Sequence, residues 1–324
     1  MKTNSSLECF RVLHDEIGAS PELNDFIKQY GTVFQQKQFL SAVGEKLEYI
    51  VCSTTEKKIV GILPLVVVSK MGLIAYHRPP YCHIYGPVVD ESAGFDVGDA
   101  ITQLLLNVNK FSLIEFMLPL SGKEILPYKQ VGASVLTSQT YIVQKDSNYN
   151  INSVHSSKKR YLKKLLTELD NGTLTLKEGS DCNETILWLQ NKVAERNKFR
   201  PYTKILSKIM ESHDDTNSYS LLISDLHGNP LAGAFCPFDQ TFAYHLVNAS
   251  NRHANILFDK ANILTTYLAV RKAIQKNLSF DFEGSNIPGV ANFYKMMGGK
   301  PNLLYRIQIP KTLLGRAYFA IRHF

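Results

Sequence analysis

The sequence predicts an α/β protein of two domains, each a mixed, mostly antiparallel sheet flanked by helices. Three observations carry that expectation. The chain has 324 residues, about twice the ~150 of an average domain, so each half is long enough to bury a core without staples. A hairpin, then a helix, then a strand occurs in both halves. The two helix-to-strand junctions, KFSLIEF and KNLSFDF, also align at one offset: Lys110, Glu115 and Phe116 stand 166 residues before Lys276, Asp281 and Phe282. Gly61 in IVGILP and Gly233 in LAGAFCP lie near that offset. A duplicated α/β unit accounts for this pattern, with domains at 1–147 and 148–309.

In chain order, apolar runs at 47–53 and 59–68 flank a polar turn and read as a hairpin. The loop HRPPYCHIYGP, 77–87, is aromatic and proline-rich. Ile101, Leu104, Leu105 and Val108 have helical spacing, and a strand follows at 112–118. Ser156 or Ser157 is placed to cap a helix through SKKRYLKKLLTELDNG, closed by Asn171 and Gly172. A second helix is expected over 184–198. Strands follow at 219–224, 231–236 and 242–247, then a broadly apolar helix at 257–276 and a strand at 278–283.

Lys plus Arg number 36 against 29 for Asp plus Glu, and the excess is localised. Lys158, Lys159, Arg160, Lys163 and Lys164 cluster in one helix, and 284–324 contains six cations and no acid. Two such stretches suit a phosphorylated ligand. The five cysteines are scattered, with no C-x-x-C, so neither a disulfide framework nor a zinc site is indicated, and a reducing cytoplasm is expected. The nine histidines show no metal-binding spacing. The amino terminus lacks the apolar core of a signal peptide, and no apolar run approaches the ~20 residues of a membrane-spanning helix.

The chemistry concentrates in LSFDFEGSNIPGVANFYKMMGGKPNLLYRIQI. Alternation puts Leu278, Phe280 and Phe282 on a core face and Ser279, Asp281 and Glu283 on an available one. Gly284 and Ser285 end the strand, Pro288 opens a helix, Gly298 and Gly299 stop it, and a strand resumes at 303–309. A strand opening through E-G-S onto a helix presents backbone N–H groups to an anion or a developing oxyanion.

The stretch FDFEGSNIPGVANFYKMMGGKPNLLYRI resembles the carboxy-terminal signature of the FemAB-like acyltransferases, a branch of the GNAT superfamily. The region from Gly31 through IVGILPLVVV to YGP, and the basic SSKKRYLKKLL segment, are similar to other parts of the same proteins. The resemblance implies tandem GNAT-like domains and transfer of an acetyl or aminoacyl group to a primary amine of a cell-envelope or amino-sugar precursor. It also implies that a helix at 310–324 returns to the first domain. The donor is acyl-CoA, such as acetyl-CoA, or aminoacyl-tRNA. The second choice describes a peptidoglycan-bridge peptidyltransferase. A catalytically silent module binding RNA or an anionic glycan precursor is the reading of another class.

Such a transfer needs a neutral amine, a proton acceptor and an oxyanion partner. Lys295 matches the lysine position of peptidyl-transferring relatives and is the electrophile candidate, although it lies about 200° around an ideal helix from core-facing Phe293. Glu283 and Asp281 are the candidate proton acceptors. Gly284, Ser285 and Tyr294 are expected to bind substrate, Ser285 as a helix cap or backbone ligand rather than a nucleophile. Lys159, Arg160 and Arg306 are expected on phosphate, and Arg78, Tyr81 and Tyr85 along the acceptor. The glycine-rich R-x-x-G-x-G/A loop of CoA-using enzymes is absent: the corresponding segment NASNRHANILFDKAN, 248–262, has no glycine. That weakens acetyl-CoA as donor without excluding it, and aminoacyl-tRNA is its chief rival.

Overall fold

A computed structural model describes residues 7–13, 20–44, 46–70, 73–108, 111–119, 124–199, 202–284 and 287–321. Its elements are β1 (Leu7–Leu13), α1 (Pro21–Tyr30), α2 (Lys37–Val43), β2 (Leu47–Thr54), β3 (Ile59–Lys70), β4 (Leu73–Tyr76), β5 (Val88–Val89), α3 (Val97–Leu106), β6 (Leu113–Leu118), α4 (Ile125–Gln130) and β7 (Ser134–Val143). There follow α5 (Ser156–Asp170), β8 (Leu174–Glu178), α6 (Asn183–Asn197), α7 (Thr203–Glu211), β9 (Ser218–Asp225), β10 (Pro230–Pro237), β11 (Phe242–Tyr244) and β12 (Val247–Ser250). The chain ends with α8 (Ala261–Gln275), β13 (Ser279–Asp281), α9 (Pro288–Met296), β14 (Lys300–Pro310) and α10 (Leu313–Ile321).

Two compact units result, Met1–Ser138 with Leu303–Phe324, and Gln139–Asn302. The chain changes unit within β7 and within β14. In the first unit β1, β2, β3, β4, β6 and β14 follow one another across the sheet, and β5 pairs with β3. The β1–β2, β2–β3, β3–β4 and β6–β14 pairs are antiparallel, whereas β4 and β6 run parallel. Helix α3 is amphipathic: Ala100, Ile101, Leu104 and Leu105 are buried. Leu104 lies where a side chain on Gly61 would touch it, so that glycine lets helix and strand approach closely. Helix α10 is tied down by Lys311 N–H donating to the Ser112 carbonyl, 2.9 Å, and by the edge of the Tyr318 ring against His77.

The second unit has an antiparallel sheet ordered β12, β10, β9, β8, and a β7, β13, β11 set in which β13 runs antiparallel to β7 and parallel to β11. Here Gly233 meets Ile186 of α6. The apolar face of α8 (Ile263, Leu264, Tyr267, Val270) packs with Leu221, Ile223 and Ala234 of the sheet and with Leu162 and Leu165 of α5 in one core. Helix α5 is capped by His155, whose ring accepts the Ser157 N–H at 3.3 Å, rather than by a serine. Gly172 closes it at φ +76°. The expected strand 242–247 is two strands: the chain breaks at His245 and Leu246, so that β11 joins β13 while β12 joins β10.

Candidate active site

Strand β13 ends at Asp281, sooner than alternation suggested, because Glu283 and Gly284 both adopt left-handed backbone, φ +62° and +63°. Glycine at 284 is required twice over: by that conformation and because a Cβ would collide with the Gln139 carbonyl. Asp281 latches the turn. Its Oδ1 accepts the Thr140 hydroxyl and, at 2.8 Å, the Glu283 N–H. The face expected to be available is closed, since Ser279 and Asp281 are both buried. Strand β13 lies between β7 and β11, so neither edge reaches solvent, and the second face of the strand is covered as the first is. Asp281 is thereby a carboxylate with its oxygen already engaged, whereas Glu283 is half-buried.

Helix α9 follows with proline in its first turn. Tyr294 stacks on Phe282 with ring centroids 4.9 Å apart, which fixes the helix over the turn. Burial, and then the negative charges of Glu283 and Asp281, push the Tyr294 phenol above its ordinary range. It is therefore a neutral hydrogen-bonding group at physiological pH. Lys295 is exposed on the same helix. Ser285 lies outside the described residues.

A pocket of about 280 Å³ opens beside α9, lined by Lys158, Arg196, Ser250, Arg252, Asp259, Lys260, Asn262, Ile263 and Phe293. Four cations face one acid there. Asp259 Oδ2 takes Lys260 at 2.9 Å and Arg252 at 3.4 Å. Although burial raises its pKa, the hydrogen bond from Lys260, the His253 N–H and the nearby cations carry it below the usual carboxylate range. Arg196 donates to the Ser250 carbonyl at 3.2 Å, and the Lys158 ammonium lies 5.7 Å from the Phe293 ring centroid. No side chain caps α8, whose first turn begins at this pocket. A short 3-10 turn, Phe258–Lys260, leads into α8, and Asn255 Oδ1 accepts the Leu257 N–H at 2.9 Å ahead of it. The excess of cations over acid is what favours a phosphate here.

The expected residues divide among several places. Asp281, Glu283, Gly284 and Tyr294 come together at the β13–α9 turn, and Lys295 stands exposed on α9. Lys159 hydrogen-bonds Asn152 at 3.4 Å, and Arg160 stacks on Tyr161, 5.3 Å from its centroid. Among the pocket's cations the basic helix contributes Lys158 instead. Arg306 is committed within the first unit: its guanidinium grips Glu115 Oε1 at 3.1 and 3.0 Å, while His77 approaches the other carboxylate oxygen at 3.4 Å. Tyr85 is a correction. It is fully buried and its hydroxyl accepts the Val66 N–H at 2.7 Å, so it holds strand β3 and has no surface for an acceptor. Arg78 donates to the Cys82 carbonyl at 3.4 Å, and Tyr81 adopts φ +61° in the same loop. Arg196, Arg252 and Lys260 are pocket residues that the sequence reading does not single out, although the last two stand in NASNRHANILFDKAN, the segment that lacks the glycines of a CoA loop. Cations were the signal there.

No family model matches the sequence, and no curated protein matches it. Solved structures do. FemX matches with a TM-score of 0.71 over 97% of this chain and 99% of its own, at 15% identity. The C-terminal domain of a putative lysylphosphatidylglycerol synthetase from Agrobacterium fabrum gives 0.59 over 94% and 96%, at 11% identity. A tandem GNAT protein from the clavulanic acid biosynthesis pathway gives 0.54 over 94% and 98%, at 10% identity. This chain has the tandem GNAT-like fold. Within that fold the duplicated order inferred from sequence is explicit: β5, α3, β6 in the first unit and β12, α8, β13 in the second. Among the described residues no group of His, Cys, Asp and Glu is arranged to hold a metal ion, and no helix is long and apolar enough to cross a membrane.

Proposed function

We propose that the protein is an N-acyltransferase that moves an acyl group from a phosphate-bearing donor, acyl-CoA or aminoacyl-tRNA, onto a primary amine of a cell-envelope or amino-sugar precursor. A cytoplasmic location belongs to this reading. The observation that carries it is the cationic pocket at the start of α8, which shares Phe293 with the helix bearing Tyr294 and Lys295. FemX, lysylphosphatidylglycerol synthetase and the tandem GNAT protein, whose fold it shares, lend the reaction class.

In this reading Lys158, Arg196, Arg252 and Lys260 hold the donor's phosphate. The amine attacks the donor carbonyl, Lys295 offers positive charge to the developing oxyanion, and Glu283 accepts the proton that the amine loses. Asp281 is a positioning residue: it fixes the left-handed Glu283 and Gly284 pair through the Glu283 N–H. Tyr294 bears on the same turn through Phe282. No covalent enzyme intermediate is required.

The test is isothermal titration of the purified chain with acetyl-CoA, with longer acyl-CoAs and with aminoacyl-tRNA. One of them should bind, and Arg252→Ala should weaken it about tenfold, the ~1.4 kcal/mol of one charge-assisted contact. Unchanged affinity for the bound donor in an Arg252→Ala, Lys260→Ala double variant removes the pocket from the reading.

A further inference from the structure

Cys9 and Cys52 are 43 positions apart in sequence, yet they face each other directly across the antiparallel β1–β2 ladder, between the pairs Glu8↔Ser53 and Phe10↔Val51. Side chains of directly opposed residues emerge on the same face of a sheet. Opposed Cα atoms in an antiparallel ladder lie ~4.5 Å apart at a non-hydrogen-bonded pair and ~5.5 Å at a hydrogen-bonded one. Both separations fall within the ~4.4–6.8 Å between Cα atoms that a disulfide spans.

The two thiols differ in access. Cys52 is buried, and Cys9 is only partly so. The interaction between the paired thiols favours the Cys9 thiolate and lowers its pKa, while the same interaction, with burial, raises that of Cys52. The other three cysteines lack this arrangement. Cys82, Cys182 and Cys236 are buried in the core, and Cys82 donates its thiol to the backbone carbonyls of Ile84 and Phe34.

We infer that Cys9 and Cys52 form a thiol–disulfide modification site, with Cys9 as the attacking thiol, Cys52 as the resolving thiol and a low-molecular-weight disulfide as co-reactant. The Cys9 thiolate attacks one sulfur of the co-reactant, whose S–S bond breaks. One small thiolate leaves, and a mixed disulfide stands on Cys9. Cys52 gives up its proton and attacks the Cys9 sulfur, expelling the second small thiolate. Two protein thiols are oxidised, one small disulfide is reduced to two thiols, and the two protons released by the protein go to them. In a reducing compartment such a bond is transient and registers the local thiol balance.

The cross-link has a mechanical consequence. Strand β1 stands at the edge of its sheet with β2 as its neighbour. A bond from Cys9 to Cys52 fastens this edge strand to the buried β2.

The experiment incubates the native full chain with oxidised glutathione, alkylates the remaining thiols after unfolding, and maps the peptides by mass. Two of the five thiols should be lost from alkylation, in a single peptide pair joining Cys9 to Cys52, and dithiothreitol should restore both. Cys52→Ser should stop at one glutathione on Cys9. Cys9→Ser, a conservative change at a partly exposed position, should take up none and form no cross-link. The oxidised wild type should melt about 5 °C higher than the reduced form, because the bond restricts the unfolded chain. Five alkylatable thiols after oxidation, a stable glutathione adduct on wild-type Cys9, or a bond from Cys9 to any other cysteine overturns the assignment.

Discussion

The two units place a strand, a helix and a strand in the same order, but they treat the start of that helix in opposite ways. In the first unit the approach to α3 is acidic, with Asp90, Glu91 and Asp96 before the helix and Asp99 in its first turn. Asp96 caps α3, accepting the N–H groups of Gly98 at 2.8 Å and Asp99 at 3.3 Å. In the second unit α8 has no side-chain cap, and Arg252 and Lys260 approach it. The first helix starts among acids; the second starts among cations, which Asp259 alone answers. The carboxylates aligned by sequence differ as well. Glu115 on β6 is answered by a guanidinium and an imidazole, whereas Asp281 on β13 is answered by a hydroxyl and a backbone N–H. A duplicated scaffold thus keeps its positions and exchanges their electrostatics.

The sharpest way to break this comparison is at the glycines. Gly284→Val meets both the Gln139 carbonyl and a left-handed backbone, and should cost about 4 kcal/mol in urea unfolding. Gly94→Ala, in the acidic segment of the first unit, also has positive φ but nothing within 4 Å, and should cost only about 1 kcal/mol. Equal losses at the two sites sink the claim that the β13–α9 turn is the constrained one.

Arg306→Ala removes the cation from Glu115, whose side chain is 1% exposed. A loss of about 3 kcal/mol at neutral pH is expected, less than for a wholly buried pair because the arginine is partly solvated. Glu115→Gln with Arg306→Ala should recover part of it, and a double variant no better than the single one denies the coupling.

The second unit also holds a buried histidine at the β11–β12 break, where burial pushes the His245 imidazole down to about 3. Unfolding raises that value to the ordinary ~6.5, so the unfolded chain binds the extra proton below pH 6.5. Its contribution is complete above pH 6.5 and is lost as pH falls toward 3, at roughly 1.4 kcal/mol per pH unit, or about 2 kcal/mol by pH 5. His245→Phe should flatten the stability profile by that slope. An unchanged slope between pH 6.5 and 5 contradicts it.

The smallest effect sharpens the comparison at the helix starts. Asp96→Ala should cost about 1 kcal/mol of stability through the lost cap, with donor affinity untouched, because the first unit needs no outside anion. A shift in donor affinity would place the anion in the wrong unit.

Periodicity made most elements legible. Leu104 and Leu105, or Ile263 and Val270, declare helices because core contact imposes a 3.6-residue repeat whatever the partner. The FDFEGS segment announced its turn through Gly284, but not that Glu283, expected on the strand, is already left-handed. Tyr85 was misplaced because an aromatic residue in a proline-rich loop looks the same in sequence whether it lines a groove or braces a strand. Asp281 was read as accessible because alternation reports two faces and is silent on whether both are covered.

The sequence by itself therefore determined the duplicated α/β order, the helix and strand faces, and the glycine turn after β13. These follow from short-range sterics and from local hydrophobic pattern. Only the tertiary structure decided that Lys158, Arg196, Arg252 and Lys260 share one pocket, that Arg306 is bound to Glu115, and that Cys9 meets Cys52. Each of these joins side chains from separate elements. What brings them together is strand register and helix packing, and these are settled by burial of the whole core rather than by any residue's neighbours in the chain.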